Sequence, residues 1–473
     1  MEKIHWLAEV EKRKDSLIKD TQELLHIKSL LDEEHPTPEA PLGEGVKEAL
    51  DFMLNLGEKD GFTAKNVGNL AGHLEFGQGE ELLGILCHVD VVPEGDGWSS
   101  APFAAEIREG KIFARGALDD KGPTMAAYYA MKIVKEMGLP LKKRVRMIIG
   151  TDEESNWRCV EHYFQHEEMP TLGFAPDADF PIINAEKGIA DFDLLQQSSG
   201  TESEDQNVIV QSFTSGRRYN MVPDFAKATI SVKENQMDIV QRFADFMKGY
   251  ELESRSYVEN GELILEVKGV SAHGMEPRNG KNAGLFLGKF LSNLNLDQKA
   301  AHYFQFISRY FFEDSRGINL GIVYSDDISG ELTINPGKLA YEKQTGGIIG
   351  STCRYPVTND MDTTKAKLDR LLQEEGFVIG HFTDSKPHHV NEKEFLIQTL
   401  KRVYEEQTGE KAELIAIGGG TYARSLKSGV AFGPLFPGRP DIAHQKDEYI
   451  FIEDLIKATA IYAQAIFELA QAE

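Results

Sequence analysis

Two short apolar runs end on residues able to bind a metal or move a proton. Leu82-Leu83-Gly84-Ile85-Leu86-Cys87 runs into His88-Val89-Asp90, and Val145-Arg146-Met147-Ile148-Ile149 leads through Gly150-Thr151 into Asp152-Glu153-Glu154-Ser155. Between them Arg115-Gly116-Ala117-Leu118-Asp119-Asp120-Lys121-Gly122-Pro123 precedes a helical stretch. Ala175-Pro176-Asp177-Ala178-Asp179 follows, and far downstream comes Asp441-Ile442-Ala443-His444-Gln445-Lys446-Asp447-Glu448. Each motif alone has a plain reading. Asp119-Asp120 suits a helix N-cap, Glu153-Glu154 a solvated loop, and a lone His88 a satisfied core residue. Together they supply imidazole and carboxylate groups, which suit zinc, with enough acids for an anionic bridge between two neighbouring ions.

The elements that must position these groups follow from hydrophobic spacing. Both apolar runs are short and unbroken, as expected of strands buried on both faces, and Pro123 to Met137 between them reads as a helix. Strand, helix, strand of this kind predicts a parallel α/β sheet with crossover helices, whose ligands sit beyond the carboxyl ends of the strands. Upstream, Leu17, Ile18, Thr21, Leu24, Leu25 and Ile27 keep a helical period within the first ~30 residues. A break at Pro36, Pro38 and Pro41 precedes a second helix through Val46, Leu50 and Leu54. From about 189 to 386 the pattern changes to α+β, with strands near 227–232 and 263–267 and a helix over 237–248. The polar stretch Ser198 to Asp205 reads as a surface turn. The expected organisation is a first catalytic part over 1–188, a separate domain over 189–386 and a second catalytic part over 387–473.

A chain of 473 residues exceeds one ordinary core, in keeping with two domains. Its 76 acids against 51 bases give a formal charge of −25, a field that disfavours nucleic-acid binding. Met1 to Trp6 and the charged sequence after it lack an apolar signal core, and no apolar run approaches the roughly 18 residues of a membrane span. The three cysteines, Cys87, Cys159 and Cys353, have no paired spacing, so a cytoplasmic protein with reduced thiols and no membrane partner is expected.

The set His88-Val89-Asp90, Gly116-x-x-Asp119-x-Lys121-Gly122, Glu153-Glu154, Pro176-Asp177-Ala178 and His444 resembles, in order and spacing, the co-catalytic di-zinc peptidase superfamily of aminoacylases, carboxypeptidase G, acetylornithine deacetylase and bacterial dipeptidases. The wording Asp119-Asp120-Lys121-Gly122-Pro123 and the chain length are most similar to the dipeptidase V group, which includes broad-specificity and β-alanyl dipeptidases. The resemblance implies a mostly parallel-sheet catalytic domain with an inserted α+β lid. It implies two zinc ions per subunit, with cobalt or manganese as substitutes. Asp119 would bridge them, His88 and Asp177 would complete one ion's ligands, and Glu154 and His444 the other's. Asp90 would hold the His88 ring in its metal-binding tautomer. Glu153 would be the general base toward a hydroxide shared by the two ions, and the Asp119–Asp120 peptide would be cis.

Three motifs of the middle region carry the same resemblance: Arg218-Tyr219-Asn220-Met221-Val222-Pro223, Ser271-Ala272-His273-Gly274-Met275-Glu276-Pro277 with Asn282-Ala283, and Cys353-Arg354-Tyr355-Pro356. They imply that His273 stabilises the oxyanion while Asn220 and Arg354 bind substrate, Arg354 through its carboxylate. Gly418-Gly419-Gly420-Thr421 would close over the same carboxylate through Gly420 and Thr421. An insertion of this length implies a lid histidine acting in cis and a monomer. The expected activity is hydrolysis of unblocked dipeptides, small peptides being the partners. An N-acyl amino acid deacylase would share the metal site, and a non-catalytic metal-binding protein would have no need of Glu153. No Gly-x-Ser-x-Gly elbow and no phosphate-binding Gly-x-x-x-x-Gly-Lys loop is present.

Overall fold

The computed structural model describes residues 4–197 and 206–472, so the polar stretch Ser198 to Asp205 lies outside the described residues. The described chain divides into two compact units. The first comprises residues 4–184, 389–415 and 421–472, and the second 185–388 with 416–420.

The first unit is built on a mixed sheet whose centre is parallel. Its order begins Thr63–Val67, Ala71–Phe76, Arg144–Gly150, Leu82–His88, Leu172–Ala175, Gly429–Ala431 and Ile182–Glu186. Leu82–His88 runs parallel to both Arg144–Gly150 and Leu172–Ala175, and Gly429–Ala431 is parallel to Leu172–Ala175. The two outer strands at the Thr63 edge are antiparallel. Every residue of Leu82–His88 is buried, as a central strand covered on both faces requires. Helix Lys121–Glu136 supplies one cover with Met125, Ala126, Tyr129, Ala130 and Ile133, and packs with helix Ile452–Gln471 in the same core. The N-terminal periodicity is carried by two helices, Trp6–Glu11 and Lys14–His26, interrupted at Lys12–Arg13. After the proline-rich break comes helix Glu44–Lys59. Among the described residues no helix is long and apolar enough to cross a membrane.

The second unit is an eight-stranded antiparallel sheet. Strand Gly188–Gln196 shows why one face packs: Ala190, Phe192 and Leu194 enter the core, whereas Asp191 and Asp193 alternate to the other face. Helices Gln236–Gly249, Ala283–Ser292, Gln298–Tyr310 and Met361–Glu374 cover the apolar side through Phe243, Leu287, Phe304 and Leu368. Asn282 begins one of these helices. Its side-chain oxygen accepts from the Gly284 and Leu285 N–H groups at 3.1 and 3.2 Å, satisfying two donors the helix leaves open.

Candidate metal centre

His88 is the last residue of its strand and is fully buried. Its Nε2 lies 3.1 Å from Asp119 Oδ1 and 3.6 Å from Asp177 Oδ1. The other ring nitrogen, Nδ1, is 3.0 Å from the main-chain carbonyl of Asp90 and 3.4 Å from its carboxylate, so Asp90 holds the ring through its backbone first. A proton on Nδ1 leaves Nε2 free to ligate. Asp90 Oδ2 accepts from the Glu154 N–H at 3.0 Å and thereby joins the His88 loop to the Glu153-Glu154 loop.

Asp119 faces two ways. While Oδ1 meets His88, Oδ2 lies 3.0 Å from His444 Nε2, and the same nitrogen is 3.0 Å from Glu154 Oε1. His444 has a positive φ of 62°, and the Asp119–Asp120 peptide is cis. Two clusters result, His88 with Asp120 and Asp177, and Asp119 with Glu154 and His444; within each, one ligand atom per residue lies within 4.8 Å of the others. The Asp119 carboxylate, with one oxygen on each histidine, spans the two.

The electrostatics of the site favour cations. Burial raises the Glu154 carboxyl to about 7 and the Asp177 carboxyl to about 6, and in each the charge of Asp119 adds to the rise. Burial and then the charge of Asp177 push both Glu153 and Asp120 well above the usual carboxylate range. Burial would raise Asp119 too, but its contacts with His444 and His88 hold it far below that range. His444 is lifted to about 11 by hydrogen bonds to Asp119 and Glu154. Acids so crowded repel one another until positive charge is supplied. Asp120 adds a buried oxygen: Oδ2 accepts from the His88 N–H and the Thr124 hydroxyl at 3.1 and 3.0 Å, whereas Oδ1 has no hydrogen-bond partner. Imidazole and carboxylate donors in two clusters, with a carboxylate between them, fit two divalent ions.

The second unit gathers residues of its own. His273 and Met221 form an isolated bridge, and the Gly274 N–H donates to the Asn220 carbonyl at 2.7 Å, so His273 and Asn220 lie on adjoining backbone. Burial and then the Arg354 charge lower the His273 ring below its ordinary value, which keeps it neutral. Its Nδ1 accepts from the Met275 N–H at 3.1 Å, so the proton of the neutral ring sits on Nε2. Arg354 pairs across the sheet with Thr333, whose hydroxyl donates to the Met275 carbonyl at 3.0 Å. The His273 loop is held further by Glu276, which receives Arg316 at 2.6 Å. Gly420 belongs to this unit, while Thr421 belongs to the first and caps the Tyr422–Ser425 turn by accepting from the Ala423 N–H at 3.3 Å.

Residues without a role in the sequence reading also reach the centre. The ring of Tyr422 stands edge-on to His88 at 5.9 Å between centroids, and Glu448 accepts from the Leu118 and Asp119 N–H groups at 2.8 and 3.2 Å. Their signal in the sequence is slight, an acid four positions after His444 and an aromatic after a glycine run.

The chain is similar to known proteins in sequence and fold. The model of "Peptidase family M20/M25/M40" matches residues 84–468. A Bacillus subtilis (strain 168) protein named "Putative dipeptidase YtjP" is 57% identical over 468 residues, covering 99% of this chain and 100% of that protein. A Staphylococcus epidermidis (strain ATCC 12228 / FDA PCI 1200) protein named "Putative dipeptidase" is 47% identical over 464 residues, 98% and 99% of the two chains. The crystal structure of aminopeptidase PepT from Bacillus cereus ATCC 10987 shares the fold, with a TM-score of 0.58 at 16% identity over 97% of this chain and 99% of that one. The chain thus belongs to peptidase family M20/M25/M40 and is a peptide-bond hydrolase.

Proposed function

We propose that this protein is a zinc-dependent dipeptidase acting on unblocked dipeptides of broad sequence. The observation that carries the reading is the Asp119 carboxylate, one oxygen against His88 and the other against His444, with the raised carboxyl of Glu153 close to Asp177. The names of the two relatives support dipeptides as the substrate class. In this reading His88, Asp119 and Asp177 hold one ion, and Asp119, Glu154 and His444 the other. Two zinc ions, when bound, would polarise the scissile carbonyl and acidify water, as would cobalt or manganese in their place.

The chain's own groups then divide the work. Glu153 takes the proton of the attacking water and returns it to the leaving amine. Asp90 keeps His88 in its ligating tautomer. His273 donates from Nε2 to the oxyanion, a role suited to a neutral ring whose Nδ1 is already accepting. Arg354 pairs with the substrate's C-terminal carboxylate, assisted by Asn220 and the backbone at Gly420 and Thr421. In this proposal the 189–386 insertion serves as a lid in cis and the protein is a monomer. Its unpaired cysteines, Cys87, Cys159 and Cys353, are buried and support a cytoplasmic setting.

The test is one substrate panel with zinc or with chelator: dipeptides, their N-acetyl forms and a tripeptide. Zinc-dependent cleavage confined to free dipeptides is expected. Cleavage of the N-acetyl compounds instead would make the protein a deacylase with the same centre, and no metal-dependent turnover would remove the catalytic reading.

A further inference from the structure

Arg115 and Glu448 are a buried ion pair, 2% and 0% exposed, at 2.5 Å. Their remaining contacts converge on segments that carry the proposed ligands. Glu448 Oε1 accepts from the Leu118 and Asp119 N–H groups. Arg115 Nη1 also donates to the Gln445 carbonyl at 3.2 Å, one residue beyond His444. Its Nη2 donates to the Pro93 and Glu94 carbonyls at 3.4 and 3.3 Å, on the loop that leaves His88 and Asp90. The guanidinium lies 5.3 Å from the centre of the Trp98 ring, which fills one side of it. The N–H of Ala114, next to Arg115, donates to the Glu448 carbonyl at 3.0 Å, fixing the chain beside Arg115 to the Glu448 backbone.

A buried ion pair is weak evidence for stability, because desolvation offsets its attraction. This pair does something that an apolar replacement cannot. A planar fork with several donors reaches two carbonyl-bearing segments while its carboxylate partner grips a third by two N–H groups. We infer that Arg115 and Glu448 are positioning residues that fix the Asp119 carboxylate between His88 and His444, and so set the spacing of the two metal ions. The inference rests on the proposed metal centre. Neither side chain touches substrate in it. The pair acts through the backbones of Asp119, Gln445 and the Pro93-Glu94 loop, and its loss should loosen the shared ligand before it unfolds the unit.

The test begins from protein freed of metal by chelation. Wild type, E448Q, R115K and the double variant R115M/E448M are titrated with zinc by calorimetry and with cobalt(II) by visible absorption. R146Q, which breaks the pair of buried Arg146 with half-buried Glu75, serves as a control for general loss of stability. Loss of a group that orients a ligand typically weakens metal binding about 10–100-fold. E448Q and R115K are expected to show that loss for at least one of the two ions, with an altered cobalt spectrum, while R146Q keeps wild-type affinities. If the single variants do not fold, the double variant, which strands no buried charge, decides. Wild-type affinities and spectrum in the folded variants would overturn the inference and leave the metal centre standing. Failure of wild type itself to take up metal would instead remove the centre, and the clamp with it.

Discussion

Glu153 and Glu154 are neighbours in the chain with different surroundings. Glu154 lies against the His444 ring, whereas Glu153 is raised by burial and by the charge of Asp177. Replacing each by glutamine should therefore give different failures. Glu153→Gln should lower kcat by about 10²–10⁴-fold, the usual contribution of a general base, and still retain two metal equivalents after dialysis. Glu154→Gln should lose metal as well as activity; equal metal content in the two variants would refute the division of roles. A second residue-scale expectation concerns His73. It is 4% exposed, its Nδ1 lies 2.8 Å from the Tyr163 hydroxyl, and burial with the Arg146 charge lowers the ring to about 4. The unfolded chain takes up this proton near the ordinary value of 6.5, before the folded chain does. The neutral ring thus contributes fully above about pH 6.5, and its contribution, about 3 kcal/mol, drains away as the pH falls toward 4. In chelator, urea unfolding between pH 7 and 4.5 should weaken more steeply for wild type than for His73→Gln. Parallel profiles would exclude it.

At the scale of elements, close approach decides what the central strands can carry. A Cβ on Gly150 would lie 1.8 Å from the Tyr422 hydroxyl, which also sits 3.0 Å from Cys159 Sγ. Gly150→Ala should displace that ring, cost about 1–3 kcal/mol and lower the thermal midpoint. An unchanged midpoint would mean that the turn carrying Tyr422 yields freely. The elements legible in the sequence were those with enough length to show a pattern. The runs that became Leu82–His88 and Arg144–Gly150 are unbroken, and the intervening helix, expected over Pro123 to Met137, spans Lys121–Glu136. Strands Leu172–Ala175 and Gly429–Ala431 are too short for periodicity to separate them from loop, although they complete the parallel centre of the sheet. The His88, Asp119 and Glu154 motifs could be read because they sit where such strands and helices end. Glu448 could not, since its partners, the Arg115 guanidinium and the Leu118 and Asp119 N–H groups, lie about 330 positions away.

At the scale of the whole molecule, the proposed cis lid makes a direct prediction. Inactive His273→Ala and Glu153→Ala proteins, mixed in equal amounts, should stay inactive, because each molecule lacks a group its neighbour does not lend. Recovery of turnover in the mixture would show the histidine acting between subunits. The metal centre has a further property that follows from chain order. Glu154 meets His444 across 290 positions, and Asp119 leans on Glu448 across 329. A polypeptide still emerging from the ribosome therefore holds His88, Asp119, Glu154 and Asp177 long before it holds His444, the last of the proposed ligands. Contacts of such separation form late. On the proposed ligand set, the second metal position would be completed only once His444 has been made, so a growing chain that stops short of it would have no hydrolytic activity toward the peptides around it.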